Sequence, residues 1–155
     1  MEIRKILELM EQETSDIKHP KGWGYELWPI NNSLYCLKYL VVEKDKQCSL
    51  HYHKIKDETF TVLDGLIELE IFPRDEKLSY HTPTDHLHLS FRSQQLERLT
   101  SHLGTSITYL LKPPQQYHIT PLTPHRFRGL EDFNVIQETS THHEDSDSYR
   151  LIKGD

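Results

Sequence analysis

Cysteine is scarce in this chain. Cys36 and Cys48 are the only two in 155 residues, and they lack C-x-x-C spacing. Two such thiols read as buried and reduced, not as a disulfide or a redox pair. Nowhere do about 18 apolar residues run together, so no membrane span is expected. There is no basic stripe or arginine-rich segment, and the formal charge is -6. Nucleic acid is therefore not an expected partner. The opening M-E-I-R-K-I-L-E-L-M lacks the apolar core and small-residue cleavage site of a secretory signal, which points to the cytoplasm. Internal repeats and low-complexity tracts are missing too. What remains is a length suited to one domain, residues 1–155, closed around one core.

Histidine, by contrast, is plentiful, with eleven in the chain. The most informative stretch is Ser49 to Gly65, S-L-H-Y-H-K-I-K-D-E-T-F-T-V-L-D-G. Residues two apart on a strand point to the same face, so His51 and His53 aim at one point. Glu58 falls where the next strand brings a carboxylate back to that point. Two imidazoles and a carboxylate suit a divalent first-row metal. His125, in P-L-T-P-H-R-F, is a fourth candidate far downstream.

The periodicity gives the rest of the layout. Ile3, Ile6, Leu7 and Met10 recur at helical spacing, predicting an amphipathic helix over 2 to about 14. Pro20 and Gly22 then break the pattern. Residues 23–30 are an aromatic-rich extended segment. Strands are expected at 34–43, 49–55, 58–64, 66–72, 106–112, 116–120, 125–129 and 133–139, with a turn at 45–47 and an Asp64-Gly65 hairpin turn. Residues 73–104 read as an insertion over one end of the strand layers, with a helical turn near 93–99. His81, His86, His88 and His102 in it read as loop residues, His118 as structural, and His142 and His143 as plain tail residues. The charged tail ends in Leu151-Ile152, which predicts that it docks. Many short strands divided by turns point to an all-β barrel or sandwich.

The run H-x-H, four residues, E, six residues, G from His51 to Gly65 resembles the first motif of the cupin superfamily. A degraded second motif is visible from Tyr117 to Gly129, with His125 where that family has its third metal histidine. Thr120 and Leu122 replace the usual proline and glycine there, and Gly129 the final asparagine. Asp45 and Pro114 replace the glycines that lead the two motifs. The resemblance implies a double-stranded β-helix, the cupin jelly-roll barrel, with a short N-terminal helix. It also implies a metal set of His51, His53, Glu58 and His125 holding a divalent ion (manganese, iron, cobalt, zinc or nickel).

Four protein ligands on an octahedral ion leave two positions open, enough to chelate adjacent oxygens of a hydroxy-aldehyde or hydroxy-ketone. Further likenesses point to a carbohydrate. K-G-W-G-Y-E at 21–26 resembles the segment opening the cupin domain of type II phosphomannose isomerases, and Lys38 matches a lysine of that group. The segment from Glu138 to Arg150 is similar to the C-terminal part of cupin sugar isomerases, including the D-lyxose isomerase group, and implies a proton-transfer role for Glu138. The reading is thus a metal-dependent aldose–ketose isomerase acting on a sugar or sugar phosphate. Glu138 and Lys38 are catalytic, and Trp23, Tyr25 and Arg126 bind substrate, Arg126 as a phosphate contact. The chain pairs as a homodimer through edge strands. An iron-dependent dioxygenase and a non-catalytic sugar-binding cupin are the competing readings. An apolar cavity favours the oxygenase and a polar one the isomerase.

Overall fold

The computed structural model describes residues 2–80 and 101–155. The expected turn near 93–99 and His81, His86 and His88 lie outside them, as does most of the 73–104 insertion. Among the described residues, an α-helix precedes the first of eleven strands. Helix α1 spans Ile3–Glu13. The strands are β1 Lys18–Lys21, β2 Gly24–Asn31, β3 Tyr35–Val42, β4 Leu50–Tyr52, β5 Glu58–Asp64, β6 Ile67–Ile71, β7 Ile107–Leu111, β8 Gln116–Ile119, β9 His125–Gly129, β10 Asn134–Thr141 and β11 Tyr149–Ile152.

They form two antiparallel sheets, ordered β1-β2-β3-β10-β5-β8 and β11-β4-β9-β6-β7. Strand periodicity sorts the residues into inner and outer faces. Leu40, Val42, Phe60, Val62, Ile119 and Ile136 of the first sheet meet Ile67, Leu69, Ile71, Leu111 and Phe127 of the second in one core. This is the cupin jelly roll with an N-terminal helix. The outer faces are covered separately. Leu7 of α1 packs on Leu27, Val41 and Val135 behind the first sheet. Leu50 and Tyr52 pack with Leu78, Leu103, Leu122 and Leu151 behind the second.

Two strands appear where none was expected. β1 contains Pro20, which suits a strand paired on one side only: it lies at the sheet's edge beside β2. β11 is the docked tail, paired with β4. Strand β4 is shorter than its pattern, and His53 lies just beyond it.

The β5–β6 turn needs Gly65, whose φ is +77°. A Cβ there would lie 2.4 Å from the Phe133 carbonyl oxygen. Asn134 locks that turn. Its side chain is fully buried. Its Oδ1 accepts from the amides of Leu66 and Glu131, both at 3.1 Å, and its Nδ2 donates to the carbonyls of Val42 and Glu131 at 3.0 and 2.7 Å. Asn134→Ala strands two donors and two acceptors and should cost about 3 kcal/mol, read as a lower urea midpoint at unchanged slope.

Asp45 and Leu122 stand where cupins carry glycine, and both keep the positive φ, +61° and +64°. A side chain in that region costs on the order of 1 kcal/mol or more. The surroundings hold Leu122 in place. Its amide donates to the His53 carbonyl at 2.7 Å, its carbonyl accepts from the Asp75 amide at 3.0 Å, and its side chain is buried in the outer cluster.

Candidate metal centre and substrate cavity

At one end of the barrel the apolar core gives way to a small cavity of about 90 Å³ with polar walls. Its floor is built by strand pairing. His51 of β4 sits opposite His125 of β9, and Ser140 of β10 opposite Glu58 of β5. His53 follows β4 by one residue. One ring nitrogen from each of His51, His53 and His125 lies within 4.8 Å of the other two.

The tautomers are set by the backbone. His51 Nδ1 donates to Ser49 O, His53 Nδ1 to Asp147 O and His125 Nδ1 to Thr123 O, each at 2.8 Å. Each Nε2 is left with its lone pair turned inward. Glu58 Oε1 lies 2.9 Å from His125 Nε2 and 3.6 Å from His53 Nε2. His125 Nε2 and Glu58 Oε1 are buried and have no hydrogen-bond partner. Two lone pairs meet there unless a proton or a metal cation lies between them. A divalent cation satisfies both and matches the donor set, so the residues fit a metal.

Burial, then the neighbouring imidazoles, pushes His51 well below the ordinary histidine value. Burial also lowers His53 to about 4, against an opposing pull from Glu58. Both rings are therefore neutral at pH 7, as ligands must be. Burial would raise Glu58, but Lys56 and His125 outweigh it and hold the carboxyl well below the usual range. These depressed values carry a sign. The unfolded chain binds protons on the two histidines below about pH 6.5, before the folded chain does. Metal-stripped protein should thus be most stable above that pH and lose stability as pH falls. His53 alone accounts for roughly 2 kcal/mol between pH 7 and pH 5, measurable by urea unfolding at the two pH values.

Beside the histidines lies a buried network that the motif spacing does not reveal. Lys56 is 4% exposed. Its Nζ meets Glu58 Oε2 at 2.9 Å and also pairs with Glu138. Burial would lower Lys56, yet Glu138 and Glu58 raise it. Glu138 lies on β10 opposite Lys38 of β3. Lys38 is 2% exposed and stands 3.5 Å from Glu26 and 3.9 Å from Glu138. Its Nζ also sits 4.3 Å over the Trp28 ring. Burial works to raise Glu138, but Lys56 and Lys38 prevail and lower it. The carboxylate is therefore ionised at neutral pH.

Asp147, in a 3₁₀ turn at Asp145–Asp147, fastens the tail to this site. Its carboxylate accepts from the amides of Lys54, Ile55 and Lys56 at 2.9–3.2 Å. The same residue's carbonyl holds His53. The signal in the sequence was the docked tail itself, without a hint of what it docked on.

Of the residues read as substrate contacts, Trp23 lines the cavity and packs edge-on against Phe127. Tyr25 does not. It lies on the outer face of β2, packed among the residues under α1, with Lys18 over its ring at 4.0 Å. Alternation along β2 turns Glu26, and not Tyr25, toward the cavity. Arg126 is also turned away. It neighbours inward His125 on β9, so it faces out and pairs with Glu70 of β6. Both readings are corrected by the parity of their strands.

Comparison with known proteins follows the same lines. The family model for D-lyxose isomerase matches residues 26–152. No curated protein matches the chain in sequence. Among solved structures, the capsular polysaccharide assembling protein CapF from Staphylococcus aureus superposes with a TM-score of 0.60 at 14% identity, over 87% of this chain and 34% of that one. KdgF from Halomonas sp. gives 0.57 at 11% identity, over 83% and 87%. The L-ribose isomerase of Cellulomonas parahominis gives 0.58 at 17% identity, over 81% and 68%. At these identities the likeness is one of fold, and the chain spans about a third of the length of CapF.

Proposed function

This chain belongs to the D-lyxose isomerase family, and we propose that it is a metal-dependent aldose–ketose isomerase acting on a small sugar. The observation that carries the reading is the placement of His51, His53 and Glu58 in one cavity with the ionised, buried Glu138, with the buried, backbone-locked His125 completing the three-imidazole cluster. His51, His53, His125 and Glu58 would hold the cation. Once bound, it supplies Lewis-acid polarisation of neighbouring carbonyl and hydroxyl oxygens.

The protein's own groups do the rest. Glu138, ionised, takes the proton from C2 of the open-chain aldose and returns it to C1, while the hydroxyl proton of O2 passes to O1, giving the ketose. Lys38 and Lys56 flank Glu138 and offset the negative charge that passes to the enediolate oxygens. Trp23 and Phe127 close the apolar side of the cavity and limit water.

The lining also weighs against an oxygenase. Lys21, Glu26, Lys38, Lys56, Glu138 and Ser148 present donors and acceptors suited to a polyol. Both buried lysines are already paired with carboxylates. Arg126, the side chain that the sequence offered to a phosphate, is turned outward.

The test is elemental analysis followed by a screen of aldoses and ketoses, with and without phosphate, in D₂O with added manganese, iron, cobalt, zinc or nickel. Interconversion with deuterium entering at C1 or C2 is the expected result. Sugar binding without turnover under every metal condition would mean a binding protein, and dioxygen uptake an oxygenase.

A further inference from the structure

The proton transfer above begins from an open chain, whereas five- and six-carbon sugars rest in water as rings. Opening a ring takes a base at the anomeric hydroxyl and an acid at the ring oxygen. Glu138, the lysines and the metal ligands are already committed to C1 and C2. Of the other titratable side chains in the cavity wall, Glu26 is paired with Lys38, burial pushes the Cys48 thiol up to about 12, and Asp145 is bonded to His143, which leaves His143 as the uncommitted base.

His143 follows β10 and is anchored by its backbone. Its amide donates to Asn31 Oδ1 at 3.0 Å, and its carbonyl accepts from Asn31 Nδ2 at 3.1 Å. Its side chain is 8% exposed. The imidazole packs edge-on to Trp28 at 4.9 Å. Nε2 donates to Asp145 Oδ1 at 3.1 Å, because a carboxylate only accepts. That bond places the proton on Nε2 and leaves Nδ1 as an acceptor, and Nδ1 is buried with no partner. Burial, then Lys38 and Lys56, lowers the ring's affinity for a second proton. His143 lines the cavity, and its oriented neutral imidazole keeps one basic nitrogen buried and unused, the unpaired acceptor that a substrate hydroxyl would satisfy.

We propose that His143, oriented by Asp145, opens the sugar ring before isomerisation. The O1–H bond breaks, and its proton passes to Nδ1 while its electron pair becomes the second bond of C1=O1. The bond from C1 to the ring oxygen breaks with its pair on that oxygen, which takes the proton back from Nδ1. Cyclic and open forms are isomers, so nothing else is consumed. Asp145 is a positioning residue. It holds the tautomer and offsets the transient imidazolium charge.

The proposal rests on the isomerase reading and is tested apart from it. Ring opening is read as α/β anomer exchange, by NMR magnetisation transfer on D-lyxose or, failing turnover of that sugar, on the aldose that the wild type isomerises fastest. Metal-loaded Glu138→Gln protein is used, since it leaves His143 in place while the proton transfer is blocked. Exchange should run at least tenfold above buffer, and Glu138→Gln with His143→Gln should fall back to the buffer rate at equal metal content and melting temperature. Asp145 is 86% exposed, so Asp145→Asn should fold normally. It should slow anomer exchange severalfold and shift its pH profile, while isomerisation of glyceraldehyde, too short to form such a ring, keeps its rate. No acceleration by Glu138→Gln protein, or acceleration that survives His143→Gln, overturns the proposal. Failure of the isomerase reading shows separately, as absence of deuterium incorporation by the wild type with every sugar.

Discussion

Glu138→Gln should lower kcat by about 10³-fold, within the range removed when a positioned acid–base group is lost, while the metal stays bound. The substitution keeps size and shape but deletes the carboxylate charge that, in the proposed reaction, accepts the C2 proton. KM should move little, because the amide still accepts hydrogen bonds from Lys56 and Lys38. The fold should tolerate it as well. Lys56 keeps Glu58 at 2.9 Å, and Lys38 keeps Glu26 at 3.5 Å. Neither ammonium is left alone in a buried site, the circumstance that makes broken ion pairs costly. The measurements are steady-state turnover, deuterium wash-in and metal content on one preparation. A variant within tenfold of wild-type kcat would put the base elsewhere.

The second large effect concerns the cation. Chelator-treated wild type should lose at least 10³-fold in activity, and one added divalent metal should restore it. His51→Gln should lose metal and activity together, and added metal should not rescue it at concentrations that restore the wild type. His51 is the most exposed of the three histidines and the least needed for packing, so the variant should remain folded. Metal binding also stabilises the native state, by about 4 kcal/mol at a thousandfold excess over Kd. Wild type should accordingly melt higher with metal than without, and His51→Gln should melt alike in both. Full activity in a protein stripped to less than one metal per hundred chains would exclude the metal from the reaction.

Much of this protein could be read from local order. His51, His53, Glu58 and Gly65 lie within fifteen consecutive residues, where strand alternation and a tight turn translate spacing directly into geometry. β5 and β9 have the expected bounds, 58–64 and 125–129, and β6 lies where Ile67, Leu69 and Ile71 alternate with glutamates. Tyr25 and Arg126 show where that logic ran short. Alternation says that neighbours face opposite ways, but not which way is in. For Tyr25 the answer came from α1, which covers the outer face of β2. For Arg126 it came from Glu70, one strand away.

Spacing by itself put His51, His53 and Glu58 forward as metal-type ligands and predicted the all-β plan, the helix at the start and the docking tail, while His125 entered through likeness of motif. Tertiary structure alone decided that Lys56 is a buried partner of a carboxylate 82 residues away. It likewise decided that Asp147 ties down His53, and that His143 lines the cavity with one ring nitrogen buried and unpartnered. The physical reason is one of range. Periodicity and turn chemistry act between residues a few positions apart and leave their mark in order along the chain. The worth of a buried charge depends on which opposite charge the fold brings to it, and that pairing leaves no mark on either residue's neighbours.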